Sequence, residues 1–160
     1  MKKIFFGAVL AGGILASCNS ASNAKVAQQN RADYLKMKGD WQLTSVNYPQ
    51  NFRIKPFDEN ADAKCFEGSV WHLIPNNYTG SYTLNGGAGC PSVTQDFRWE
   101  VKNGSQFQFK KVYPDMKDKN QTAGYALNLV GRTENTFALE QNVPFEGKMI
   151  KVTYNFQKIN

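Results

Sequence analysis

Histidine is almost missing from this chain and cysteine is scarce: one and three, respectively, in 160 residues. A lone imidazole, His72, has no second histidine to complete a metal site. No serine stands in a Gly-x-Ser-x-Gly elbow, so the commonest hydrolase signature is missing. Asp58, Glu59 and Asp62 lack the Gly and final Glu of a calcium loop and read as the solvated start of a helical turn. Gly86-Gly87-Ala88-Gly89 is followed by Cys90-Pro91 rather than by a helix carrying Lys-Ser or Lys-Thr, so it reads as a turn and not a phosphate cradle. No acid, base or nucleophile set is in register, and the reading is of a non-enzyme without a cofactor. Long apolar runs are also lacking. A bilayer span takes about 20 apolar residues, and the one extended run, Ile4 to Ala16, is shorter and broken by Gly7, Gly12 and Gly13.

What is present at the start is an export pattern. Met1-Lys2-Lys3 is a basic end, the run that follows is the apolar middle, and small residues precede a cut. Leu15-Ala16-Ser17-Cys18 resembles the lipobox of bacterial lipoproteins, which implies cleavage before Cys18, a diacylglycerol on its sulfur and an acylated amine. Two or more acyl chains hold a protein stably on a membrane without spanning it. The expected organisation is a signal peptide over 1–17, a lipidated Cys18 with a flexible tether over 18–37, and a folded domain over 38–160. Asn19, rather than Asp, after the cysteine favours the outer membrane, and the lack of an acidic run there favours the periplasmic side.

Loss of residues 1–17 removes Lys2 and Lys3 and lowers the formal charge from +6 to +4. The remaining excess is scattered over Lys36, Lys38, Lys110, Lys111, Lys117 and Lys119, which read as solvated strand faces. An exported lipoprotein meets little nucleic acid, so none is expected as a partner; acidic headgroups or an acidic protein suit this charge better. With Cys18 acylated, Cys65 and Cys90 remain as an even pair in an oxidising compartment, and a disulfide is expected.

From Asp40 onward eight apolar-rich segments are bounded by turn residues: Trp41–Tyr48, Ser69–Pro75, Thr79–Asn85, Thr94–Val101, Gln106–Val112, Ala123–Val130, Thr136–Gln141 and Met149–Lys158. Several alternate at period two, the mark of a sheet with one buried face. Asn76-Asn77, Asn103-Gly104 and Gly131-Arg132 are hairpin-length connections, and Asn-Gly is the strongest hairpin signal among them. Short hairpins force antiparallel neighbours, and closure removes the exposed edges of such a sheet. The fold class is therefore all-β, an eight-stranded up-and-down barrel; a two-sheet sandwich would need longer crossovers. A turn at Asn76-Asn77 brings Cys65 and Cys90 within one bulge of facing each other. Tyr34, Leu35 and Met37, on a short helical turn, are placed to plug one end, and the Pro49–Gly68 connection to lie over the other as a lid.

The large rings alternate onto the face assigned to the interior: Trp41, Trp71, Phe97, Trp99, Phe107, Phe109, Tyr125, Phe137, Tyr154 and Phe156. A barrel of this size has a lumen that side chains just fill, or that holds one small ligand. The pattern leaves both open: a solid core, or a pocket under the lid.

Gly39-Asp40-Trp41 on a first strand resembles the Gly-x-Trp motif of the lipocalins. Gly-Asp-Trp-Gln-Leu-Thr-Ser-Val (39–46) with the closing Val152–Phe156 is similar to the lipocalin-like domains of bacterial lipoproteins, over about residues 36–160. The resemblance implies a barrel that binds a small hydrophobic molecule such as a lipid or fatty acid. The arginine that packs over the motif tryptophan in that family has no counterpart in this sequence, although Lys158 could approach the ring. The alternative is a filled-core subunit that docks onto an envelope protein complex.

Overall fold

The computed structural model describes residues 18–58, 60–87, 89–114 and 124–159. The signal-like segment 1–17 and most of the Tyr113–Gln121 connection lie outside the described residues. A helix, α1 (Cys18–Leu35), leads into eight strands: β1 (Gly39–Asn47), β2 (Val70–Ile74), β3 (Thr79–Gly87), β4 (Cys90–Lys102), β5 (Gln106–Lys111), β6 (Tyr125–Val130), β7 (Thr136–Phe145) and β8 (Lys148–Lys158). Each pairs antiparallel with the next, and β8 returns to β1, closing the barrel.

The alternation read from the sequence is the alternation of burial. In β5, Phe107 and Phe109 face in, and in β8 Ile150, Val152, Tyr154 and Phe156 do so. Lys111 continues the inward row of β5 and is buried, contrary to the expectation of a solvated lysine. Turn chemistry fixes the strand ends. Glu146 and Gly147 form the two-residue β7–β8 loop with φ of 46° and 77°, the left-handed pair that matches strand twist. Asn103 and Gly104 take φ of 52° and 69° between β4 and β5. The β2–β3 connection is a 3₁₀ turn, Pro75–Asn77, yet its register is the one expected from a turn there: Ile74 faces Thr79 and Val70 faces Thr83.

The segment expected as a flexible tether is helical. Ala, Lys, Gln and Arg supply helix propensity, but no apolar stripe betrays the helix, so periodicity is silent over it. Its C-terminal end sits at the floor of the barrel, where the β2–β3, β4–β5 and β6–β7 turns gather. Tyr34 packs on Trp99 with ring centroids 4.7 Å apart and donates its hydroxyl to the carbonyl of Pro75 at 3.3 Å. Asp33 receives Arg132 at 3.0 Å. Met37 is fully buried and accepts the indole N–H of Trp41 on its carbonyl at 2.9 Å. Leu35, assigned to the plug, instead faces solvent; Tyr34 and Met37 close the floor without it. No helix among the described residues is long and apolar enough to cross a membrane.

Candidate functional site

The lumen is occupied by its own side chains. Nine of the ten rings assigned inward are buried, and Tyr125 is half-buried at the mouth. They touch one another from floor to mouth. Trp41 meets Phe137 at 4.7 Å, Phe137 stacks on Phe156 at 4.5 Å, and Phe156 meets Trp71 at 5.4 Å. Trp71 in turn meets Phe57 at 6.0 Å. Lys158 holds its ammonium 5.5 Å from the Trp41 ring centre, a cation–π contact where a basic group was expected.

Phe57 is the residue that sequence reasoning missed. It comes from the β1–β2 connection, not from a strand, and is 3% exposed. Its ring lies 5.0 Å from Phe109, 5.2 Å from Tyr154, 5.4 Å from Tyr125 and 5.5 Å from Phe66. It stoppers the lumen from above. Its backbone is left-handed, at φ 56° and ψ 34°, a conformation a bulky residue adopts only where the surroundings impose it.

The surroundings do impose it, because the lid is tied down along its length. Ala63 N–H donates to Ile54 O at 2.8 Å, and Gly68 N–H donates to Leu43 O at 2.7 Å. Asp62 accepts from Lys64 N–H at 3.0 Å, capping a 3₁₀ turn over Ala63–Phe66. Glu67 accepts from Val46 N–H and from the Lys64 ammonium, each at 2.9 Å. Partial burial works to raise the Glu67 pKa, but these hydrogen bonds and the Lys64 charge outweigh it and hold the carboxyl below its ordinary value. Cys65 in the lid is bonded to Cys90 at the start of β4, with Cα atoms 5.4 Å apart. The expected disulfide is present and pins the lid to the start of β4.

Above the stopper the lid leaves a half-open pocket of about 460 Å³ between the strap Asn51–Phe57 and the upper ends of β6, β7 and β8. Phe52, Ile54, Phe57, Tyr125, Val143, Phe145 and Ile150 supply its apolar wall, and Gln141, Arg53 and Lys55 its polar atoms. Phe52 and Phe145 meet edge to face at 5.1 Å across one side. Tyr154 donates its hydroxyl to Gln141 Oε1 at 3.1 Å, and burial raises the phenol pKa above its ordinary value. Of the ten rings read as filling the interior or lining a pocket, nine are packed in the core and only Tyr125 reaches this hollow, because Phe57 seals the rest off. The missed lining had a signal, the alternation Phe52-Arg53-Ile54-Lys55 inside a connection. A second hollow, about 400 Å³, lies on the outer side of β4–β6 among Arg98, Glu100, Gln108 and Lys110.

His72 lies on the outer surface of the barrel, about half exposed, beside its cross-strand partner Asp40. Ser81 is its partner on the other side, completing a row reminiscent of a hydrolytic triad. Yet among the described residues no hydrogen bond joins the serine to the ring, so the row is an ordinary cross-strand arrangement. No group of three His, Cys, Asp or Glu among the described residues is placed to hold a metal ion.

No curated protein matches this sequence. A bovine odorant-binding protein, solved in complex with a selenium-containing odorant, is similar over 94% of this chain and 78% of its own, at 13% identity and a TM-score of 0.43. The family profile described as a lipocalin-like domain matches residues 37–139. That match spans the Gly39-Asp40-Trp41 motif and β1 through the start of β7, and the chain belongs to the lipocalin-like domain family.

Proposed function

We propose that this protein is a membrane-tethered binding barrel that takes a small hydrophobic molecule of the lipid class into the pocket beneath the Asn51–Phe57 strap. The observation that carries the reading is the pocket: about 460 Å³, walled mostly by apolar side chains and lying at the mouth of a barrel. That size falls within the range of small-molecule sites, which are mostly apolar with a few polar groups. The ligand lies over Phe57 rather than deep in the lumen. Native mass spectrometry of gently purified protein should show a bound mass in the lipid range, and an apolar fluorescent probe should compete with it. An empty barrel with no saturable probe uptake would overturn the reading.

The tether is part of the same proposal. The lipobox-like Leu15–Cys18 supports acylation of Cys18, and the Cys65–Cys90 bridge fits an oxidising compartment. The proposed location is the outer membrane, facing the periplasm. Because α1 joins the barrel at its floor, the mouth remains free for exchange. Metabolic labelling with an alkynyl fatty acid should mark the wild type and spare Cys18→Ser, which should move to the soluble fraction. A Cys18→Ser protein that still pellets with membranes would sink the tether.

A second reading, docking onto an envelope protein, draws on the filled lumen and on the exposed Phe145 and Met149 beside the β7–β8 turn. Photo-crosslinking from position 149 in intact cells tests it; recovery of background proteins alone would dismiss it.

A further inference from the structure

We infer that the ligand of the mouth pocket is an anionic single-chain amphiphile, its acidic head held at the rim by Arg53 and Lys55 and its chain laid across Phe57. The inference rests on the pocket being a binding site, as proposed above, and adds the charge class and the residues that select it.

The charge of the lining is one-sided. Arg53 and Lys55 both line the pocket, and among the described residues no Asp or Glu does. Burial alternates along the strap: Ile54 is buried at 7% exposure, while Arg53 and Lys55 on either side of it are exposed. The apolar residue joins the wall and the two cations stand at the edge. Neither cation has a carboxylate within ion-pair distance among the described residues, whereas Lys64, further along the same lid, is taken up by Glu67 at 2.9 Å. The other polar lining groups are neutral, Asn51 and Gln141. The Gln141 oxygen already accepts from the Tyr154 hydroxyl, and its amide nitrogen adds a donor among the lining groups. Guanidinium, ammonium and amide N–H together make the rim rich in donors, which suits an oxyanion and disfavours a cation.

The geometry also bears on shape. Phe57 closes the way down, so the ligand lies shallow and its head stays near water. An acid at the rim keeps part of its hydration, and the attraction is that of partly screened charges. Selectivity is therefore expected at the level of about tenfold at low ionic strength, a size consistent with one or two exposed charge-assisted contacts. A carboxylate and a phosphate share this chemistry, and the source is either a free fatty acid or the head of a lysophospholipid.

The experiment is a calorimetric titration of the disulfide-intact protein with dodecanoate, dodecanol, dodecyltrimethylammonium and a dodecanoyl lysophosphatidylglycerol. All are kept below their aggregation limits, in low salt and in 0.5 M salt, against wild type and Arg53→Gln/Lys55→Gln. The expected result is about tenfold tighter binding of dodecanoate, the lysophosphatidylglycerol or both than of dodecanol. That margin should shrink in salt and vanish in the double variant. The ratio of the two anions tells carboxylate from phosphate. Equal binding of the alcohol or of the trimethylammonium compound overturns the inference and leaves the binding site standing. An anion preference that survives in the double variant overturns the assignment to Arg53 and Lys55. No binding of any of the four compounds overturns the site as well.

Discussion

Replacing Phe57 tests whether a ring delivered by a loop closes this barrel. Phe57→Ala removes a side chain that is 3% exposed and in contact with five other rings. Core Phe→Ala substitutions destabilise by about 3–5 kcal/mol, part transfer and part cavity. With a urea slope of about 2 kcal/mol/M, the unfolding midpoint should fall by about 1.5–2.5 M. Phe57→Gly removes the same ring but also relieves the left-handed backbone at φ 56°, which disfavours any Cβ-bearing residue by about 1–2 kcal/mol. The glycine variant should therefore be the more stable of the two, although glycine is ordinarily the more destabilising residue within regular structure. Urea unfolding followed by tryptophan fluorescence reads both, since Trp71 lies 6.0 Å from the ring. Both variants should also take up more of an apolar probe than wild type, because the lumen is opened. Wild-type stability in Phe57→Ala would refute the stopper, and a glycine variant weaker than the alanine one would refute the strain.

Gly80 faces Phe97 across β3 and β4, and a Cβ there would lie 2.6 Å from the Phe97 ring and 2.7 Å from the carbonyl oxygen of His72. Gly80→Ala should destabilise by about 2–3 kcal/mol from overpacking, and Phe97→Leu in the same chain should recover only part of it, since the backbone clash stays. Thermal melts of the three variants check this. Opening the Cys65–Cys90 bridge, which spans 25 residues, should cost about 3.5 kcal/mol by the chain-entropy relation; paired serine substitutions measured against wild type under non-reducing conditions give the number. Glu67, with its pKa held below the ordinary 4.5, contributes stability that is complete above that value and is lost as the pH falls through the folded-state one. Glu67→Gln should thus flatten the acid limb of a stability–pH curve and leave its slope near neutrality unchanged; an unaltered acid limb would remove the linkage. For saturated acids of rising chain length, affinity should first climb by about 0.8 kcal/mol per CH₂ and then level off in wild type as the chain outgrows the pocket, with the plateau delayed in Phe57→Ala.

The barrel was legible because its information is local. Period-two alternation, Asn-Gly and the paired hairpin register each act within a dozen residues, and Trp41 and Phe156 are inward for the reason their neighbours predict. The extra lengths of β4 at Cys90–Val93 and of β7 at Asn142–Phe145 were not legible, since much of both segments is exposed on either face and alternation fades. Helix α1 escaped for a related reason: its residues favour helix singly but lay down no apolar stripe. The site itself depended on a contact no local pattern encodes, the placing of Phe57 from a connection against Phe109 and Tyr154. Until that ring is placed, a filled lumen and an open one are written by the same sequence.

That single placement also decides how a ligand can be held. A chain entering the lumen would have to displace Phe57 and forfeit burial that core substitutions put at several kcal/mol. A small ligand seldom recovers so much unless its own chain refills the space. The lid is not free to swing, because Glu67, the Gly68 N–H bonded to the Leu43 carbonyl, and the Cys65–Cys90 bridge hold it on β1 and β4. Binding above the ring avoids the penalty: the apolar wall is already formed by Phe52, Ile54, Val143 and Ile150, and nothing in the core need move. A preformed, shallow, apolar seat makes modest affinity and rapid exchange the physical expectation. Selectivity must then come from the rim, where the formal charges among the described lining residues are those of Arg53 and Lys55.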